Sequence, residues 1–270
     1  MRILVDHRTT YRYERPATAV VQALRLSPRD HETQHVRSWR VDTDNDGTMR
    51  ETADAFGNRL LMFYAEGPLD KLTLSVVGEV EVTDTAGVIH APEPLPLAVF
   101  LRTTPLTAPD PALADLARLA RRDDPLATLH AMMAAIVEQM AFEVAATDAA
   151  TTAAAALAAG RGVCQDFAHI FCVAARLADI PARYVSGHLA RPGVDVQDAS
   201  HAWAEAHVPD LGWVAFDPAN GICATDAYLR VAVGLDYLDA APVRGARRGG
   251  GIEQMAVEVR AEVAQGQRQG

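Results

Sequence analysis

The sequence predicts an α+β fold: an N-terminal antiparallel β-sandwich domain, then a second domain of helices packed on an antiparallel sheet. Three observations carry this. Residues 1 to about 85 alternate polar and apolar side chains in short runs separated by turn formers. Six prolines then fall between Pro92 and Pro111, where neither a helix nor a central strand can persist. Beyond them, apolar residues recur first at helical spacing and later at strand spacing.

In the first segment Ile3, Val5, Tyr11 and Tyr13 fall on alternate positions, as do Val36, Trp39 and Val41 with one slip. The clearest period-2 run is Leu72 to Val82, which Gly78 predicts to be bent or bulged. Asn45-Asp46-Gly47, Phe56-Gly57-Asn58 and Gly67-Pro68 read as the turns between strands. These features place a β-rich domain over 1–90 and a proline-rich linker over 91–111, extended along the surface. The remainder, 112–270, is the second domain.

There Leu113, Leu116, Leu119 and Ala120 form one helical stripe. Asp124 is an N-cap candidate with Pro125 at the first helical position, starting a helix that runs to Met140. The Ala-rich stretch from Thr151 to Ala159 reads as a short helix stopped by Gly160.

Net charge excludes some functions. With 25 Lys and Arg against 35 Asp and Glu, the formal charge is −10, and the one basic cluster, Arg244, Arg247 and Arg248, is too short for a phosphate-binding face. No nucleic-acid partner is expected. No apolar run is long enough to cross a membrane as a helix. The residues from Met1 to Tyr13 lack the apolar centre of a signal peptide, so the expected location is cytoplasmic. Cys164, Cys172 and Cys223 are odd in number and irregularly spaced, unlike a disulfide framework or a zinc site. No metal or other cofactor is expected.

The most informative stretch is Gly160-Arg-Gly-Val-Cys-Gln-Asp-Phe-Ala-His169. Two glycines make a tight loop, and Cys164 then opens a helix whose apolar face carries Phe167, Ile170, Phe171, Ala174, Leu177 and Ala178, before Pro181. A cysteine there faces unpaired backbone N–H groups and the positive end of the helix dipole, which favour thiolate over thiol. The same N–H groups suit an oxyanion. An isolated cysteine at a helix start is more often a small buried hydrophobe, so Cys164 needs partners. Cys172 sits mid-helix among apolar neighbours, and nothing near Cys223 activates it.

Ala182 to His188 reads as a strand, and Asp198 to Val208 as another, with His201, Trp203, Glu205 and His207 on one face. Pro209-Asp-Leu-Gly212 turns the chain into a returning strand, Trp213 to Asp217. The order Cys, His, Asp gives Cys164 its candidate partners, His201 and Asp217.

GRGVCQDFAHIF, IPARYVSGHL, DASHAWAEAHVP and GWVAFDPANG together resemble the core of the transglutaminase-like, papain-related superfamily. The likeness continues through VAVGLDYLDAAPVRG and implies the bacterial branch with a β-rich N-terminal domain. It is strong over 160–222 and weaker over 1–90.

The resemblance implies a catalytic core of the papain/transglutaminase-like kind and cysteine-protease chemistry. Cys164 would be the nucleophile, His201 the general base and acid, and Asp217 the orienting carboxylate. It implies a peptide or protein substrate, and it does not imply calcium. Hydrolysis of a peptide or isopeptide bond, amine transfer or deamidation at glutamine, and a non-catalytic scaffold all stay open, as does homo-oligomerisation. Asp166 reads either as a helix-start cap or as a functional group. Trp203 and Trp213 read either as a substrate groove or as strand packing.

One constraint is geometric. A hairpin centred on Asp210-Leu211 pairs Ala204 with Asp217 and puts His201 and Asp217 on opposite faces. A one-residue bulge would return them to one face as diagonal neighbours.

Overall fold

The structure, a computed structural model, describes residues 1–190 and 200–264; Asp198 and Ala199 of the predicted strand lie outside the described residues. The chain is α+β. Its first sheet begins with β1 (Arg2–Ser27), β2 (Gln34–Thr43), β3 (Thr48–Ala53) and β4 (Arg59–Val82). A short β5 (Val88–Ile89) leads to a 3-10 turn at Leu97–Leu101. Next come α1 (Pro111–Ala120), α2 (Pro125–Gln139), β6 (Ala141–Phe142), α3 (Ala153–Ala159), β7 (Arg161–Gly162) and α4 (Cys164–Leu177). The second sheet uses β8 (Ala182–Leu189), β9 (His201–Val208), β10 (Gly212–Asp217), β11 (Ile222–Cys223) and β12 (Tyr228–Gly234). The turn α5 (Tyr237–Ala240) then leads to β13 (Val243–Gly249) and β14 (Glu253–Val263).

Alternation explains β1: from Ile3 to Tyr13 every odd residue is buried, and it pairs with β4 from Arg2 to Ser27. The ladder shifts register between Arg12 and Ala17 and again between Ala17 and Ala19, the second shift lying opposite Gly67 with φ +113°. Gly67-Pro68 is therefore a bend inside one long strand and not a turn between two. Beyond the bend the same sheet continues, and Tyr11, Leu72 and Leu74 from one half share a core with Val20, Leu24 and Phe63 from the other. Gly78 also differs from expectation. The β1–β4 ladder passes through it regularly; the slip lies on β2 between Val36 and Ser38. Glycine is needed because a Cβ there would sit 2.1 Å from the Trp39 ring.

Two domain boundaries move. Strands β13 and β14, placed by sequence in the second domain, pair with β1 in the first sheet. Strand β14 is largely exposed, with only Val259 and Ala261 buried, so only pairing with β1 reveals its allegiance. The proline-rich segment is not a surface crossing throughout. Phe100 is fully buried, 5.0 Å from the Trp213 ring, and its carbonyl accepts a hydrogen bond from Arg176.

The second sheet has the order β11-β10-β9-β8-β12, with β5 beside β10. Ala202, Ala204, Ala206, Val214 and Phe216 pack one of its faces on α4, α1 and α2. The helices start as expected: Asp110, Asp124 and Thr152 accept hydrogen bonds from first-turn N–H groups, and Gly160 closes α3 at φ +64°. Among the described residues no helix is long and apolar enough to cross a membrane.

The two sheets are tied together. Ile3, Val5, Val80 and Val82 pack against Leu229 and Val231. Two buried amides complete the contact at β12. Gln34 bonds the backbone N–H and C=O of Arg230 at 2.8 and 2.9 Å, and Asn58 bonds those of Val233 at 2.9 and 2.7 Å.

Burial holds His7, His31 and His169 neutral down to about pH 4, and His188 to about 3. In the unfolded chain a histidine protonates near pH 6.5, so stability is lost as pH falls from 6.5 toward 4. Each such group costs about 1.4 kcal/mol per pH unit. Thermal unfolding followed by calorimetry should show the midpoint dropping steeply over that interval, and less steeply in His188→Asn; a flat profile to pH 4.5 would contradict the neutral assignment.

Candidate active site

The site lies where α4 begins. Val163 precedes the helix in extended conformation, and Cys164 is its first residue, half-buried. Position alone leaves the N–H groups of Cys164 and Gln165 without intrahelical acceptors. Asp166 holds this turn in place: its Oδ2 accepts from the Val163 N–H at 2.8 Å and from Thr147 Oγ1 at 2.6 Å. It is fully buried, and burial raises its pKa against those hydrogen bonds. The structure thus gives Asp166 the capping role. It also explains Gly162, where a Cβ would come within 2.5 Å of that carboxylate.

His201, the first residue of β9, lines the same cleft as Cys164 and interacts with it electrostatically. Its Nε2 lies 2.6 Å from Asp217 Oδ2. The predicted bulge is absent. The β9–β10 ladder is regular from Gly212–Val208 to Phe216–Ala204, and the odd residue sits in the turn instead. Pro209-Asp210-Leu211 makes a three-residue connection, with Leu211 N–H bonded to Val208 C=O and Asp210 at φ +65°. Continuing that register by one residue sets Asp217 opposite Trp203, so His201 and Asp217 become diagonal neighbours on one face.

Asp217 is fully buried and heavily hydrogen-bonded. Oδ1 accepts the N–H groups of Ala219 and Asn220; Oδ2 accepts the Asn220 amide at 2.6 Å and the Tyr228 hydroxyl at 2.7 Å, besides His201. Burial opposes its ionisation, but the bond and charge of His201 with these donors outweigh it and hold the pKa below the ordinary range. Burial likewise opposes charge on His201, yet its interactions with Asp217 and Cys164 raise its pKa to about 9. These contacts favour the protonated ring. Asn220 and Tyr228 were not singled out from sequence. Asn220 stands three residues past Asp217 in a motif already suspected, whereas nothing local to Tyr228 points at Asp217.

Neither tryptophan lines the cleft above Cys164. Trp203 is 2% exposed, stacked behind His201 with ring centroids 6.1 Å apart, and Tyr228 packs on it edge-on. Trp213 lies under the Arg183 guanidinium at 3.8 Å. Both project from the sheet face that carries Glu205, so they are packing residues, and Trp203 screens the His–Asp pair. The cleft itself has a volume of about 230 Å³. Cys164, Gln165, Tyr184, Ser186, His201 and Tyr237 form one wall. The other comes from the first sheet: His7, Thr9 and Tyr11 of β1, Val243 of β13, and Met255 and Val257 of β14.

Residues 115–218 match the model of the transglutaminase-like superfamily, and residues 3–81 match the bacterial transglutaminase-like N-terminal region. An uncharacterized protein of Mycobacterium leprae is 33% identical over 273 residues, covering 96% of this chain and 97% of that protein. The chain belongs to the transglutaminase-like superfamily. A second relative in it, an uncharacterized protein of Mycobacterium tuberculosis, is 31% identical over 275 residues, covering 90% of this chain and 87% of its own. A crystal structure of a candidate cysteine protease from Cytophaga hutchinsonii superposes with a TM-score of 0.79 over 98% of this chain and 91% of its own, at 19% identity. At that identity the likeness concerns the transglutaminase-like fold.

Replacing Asp217 with Asn should bring the His201 pKa down from about 9 toward its ordinary value. The protonated ring adds stability that is complete below pH 6.5 and lost as pH rises through 9. At pH 7 the variant should therefore lose about 2–3 kcal/mol in urea unfolding, and imidazole NMR titration should show the shift. An unchanged titration would refute the coupling.

Proposed function

We propose that this transglutaminase-like chain is a cysteine-nucleophile acyl-transfer enzyme that hydrolyses peptide or isopeptide amide bonds. The observation that carries the proposal is that Cys164, at the start of α4, shares its cleft with His201, whose ring is held by buried Asp217.

The chemistry follows from these positions. His201 holds or takes the Cys164 thiol proton as the sulfur attacks the amide carbonyl. The Cys164 and Gln165 N–H groups face the oxyanion that develops. His201 gives its proton to the departing amine, leaving a thioester on Cys164. Water, deprotonated by His201, then releases the acid. Asp217 keeps the ring oriented throughout and supports its charge. No step requires a metal. Amine transfer would share every step but the last, with a second amine replacing water. Hydrolysis is preferred because the cleft opens to solvent and, among the described residues, no feature of its lining would hold an acceptor amine while excluding water.

The cytoplasmic location remains part of the proposal; its support is that all three cysteines are free thiols, as a thiol nucleophile needs.

Alkylation tests the reading. Cys172 is fully buried with its pKa pushed up to about 11, and burial also raises Cys223, so neither should react near neutrality. Iodoacetamide should label Cys164 selectively, at a rate that persists below pH 7 and drops at least tenfold in His201→Ala. Ordinary thiol rates in both proteins would instead favour a non-catalytic scaffold.

A further inference from the structure

The cleft's second wall suggests what the enzyme accepts. Tyr11 pairs directly with Met255, and Thr9 with Val257, so these four side chains form a block on one face of the first sheet, pointing into the cleft opposite Cys164. Charged residues make up 22% of the chain, yet among the described residues no Asp, Glu, Lys or Arg lines the cleft. His7, at the base of this wall, is buried and stays neutral to about pH 4. The polar groups that remain are hydroxyls, one amide and the two histidines. A charged substrate side chain entering against this wall would shed water and meet no Asp, Glu, Lys or Arg among the described residues. At the mouth, Met255 is 61% exposed. A thioether on a flexible chain adapts to side chains of varied shape.

We propose that the first sheet is the specificity wall of the cleft, with Met255 its principal contact, selecting substrates whose side chain flanking the attacked carbonyl is uncharged and apolar. The inference rests on Cys164 being the nucleophile. It also gives the N-terminal sheet a function: β14 returns from the chain's far end to complete the substrate site.

The test uses the full chain and peptidyl chloromethyl ketones, which alkylate Cys164 with loss of chloride and so report peptide fit without turnover. Two acyl-dipeptide series vary each residue in turn as Leu, Phe, Gln, Asp or Lys, and labelling rates are read by intact mass, with Cys164→Ala as control. Leu and Phe should react at least tenfold faster than Asp and Lys at one of the two positions. Met255→Glu should then raise the Lys reagent, and Met255→Lys the Asp reagent, each by about tenfold at that position. Met255 is exposed, so these variants should fold, which unchanged circular dichroism would verify. Equal rates across the series, or a preference untouched by both Met255 variants, would overturn the wall. So would rapid labelling by iodoacetamide that no peptidyl reagent exceeds. Slow labelling by iodoacetamide itself would remove the nucleophile, and the wall proposal with it.

Discussion

Asp217 reaches His201 because the β9–β10 hairpin turns through three residues, Pro209-Asp210-Leu211, with Asp210 in the left-handed region. Strand side chains alternate between faces, so an odd or even turn length decides which residues of the two strands meet. A two-residue turn at the same place would point the carboxylate toward α4 and leave the imidazole without it. From this register follow the buried Asp217 with its five donors, the imidazole beside Cys164, and Trp203 stacked behind the ring. Asp210 is an apt residue for the turn because Asp tolerates positive φ better than most non-glycine residues.

The hairpin needs a rigid frame. On the same sheet face, fully buried Glu205 accepts hydrogen bonds from Arg183 at 2.6 Å and Arg230 at 2.8 Å. Burial works against its charge, but the two guanidiniums overcome this and keep its pKa low. Glu93 closes the network by pairing with Arg183. Such a cluster demands tight placement, since losing one member leaves a buried charge uncompensated. It spans β8, β9 and β12, and Gln34 and Asn58 anchor the first sheet on β12. The wall of the cleft and the floor bearing Cys164 are thus held in one piece, with no hinge between them needed to form the site.

Much of this was legible locally. The Asp110 and Asp124 caps, the Gly160 stop, the helix opened by Cys164 and the identities of His201 and Asp217 all rest on contacts a few residues apart or on an ordered motif. Expectations failed where meaning depended on a distant partner. Gly78 looked like a bulge because nothing nearby shows the Trp39 ring above it. Gly67-Pro68 looked like a turn because a bend within a long strand uses the same residues. Trp203 and Trp213 stayed open between substrate groove and strand packing because an aromatic in a strand does not declare which face is covered.

By itself the sequence determined the α+β class, the helix limits, the position of the cysteine at a helix start and the set of residues able to act with it, because propensity, capping and periodicity are short-range. Only the tertiary structure decided that β13 and β14 complete the first sheet, that His201 and Asp217 share a face, that Tyr228 and Asn220 hold the carboxylate, and that β1 and β14 wall the cleft. Each of these is a pairing between segments distant in the chain or a choice of register. Such choices are made by burial and hydrogen bonding across the whole fold, not by any local run of residues.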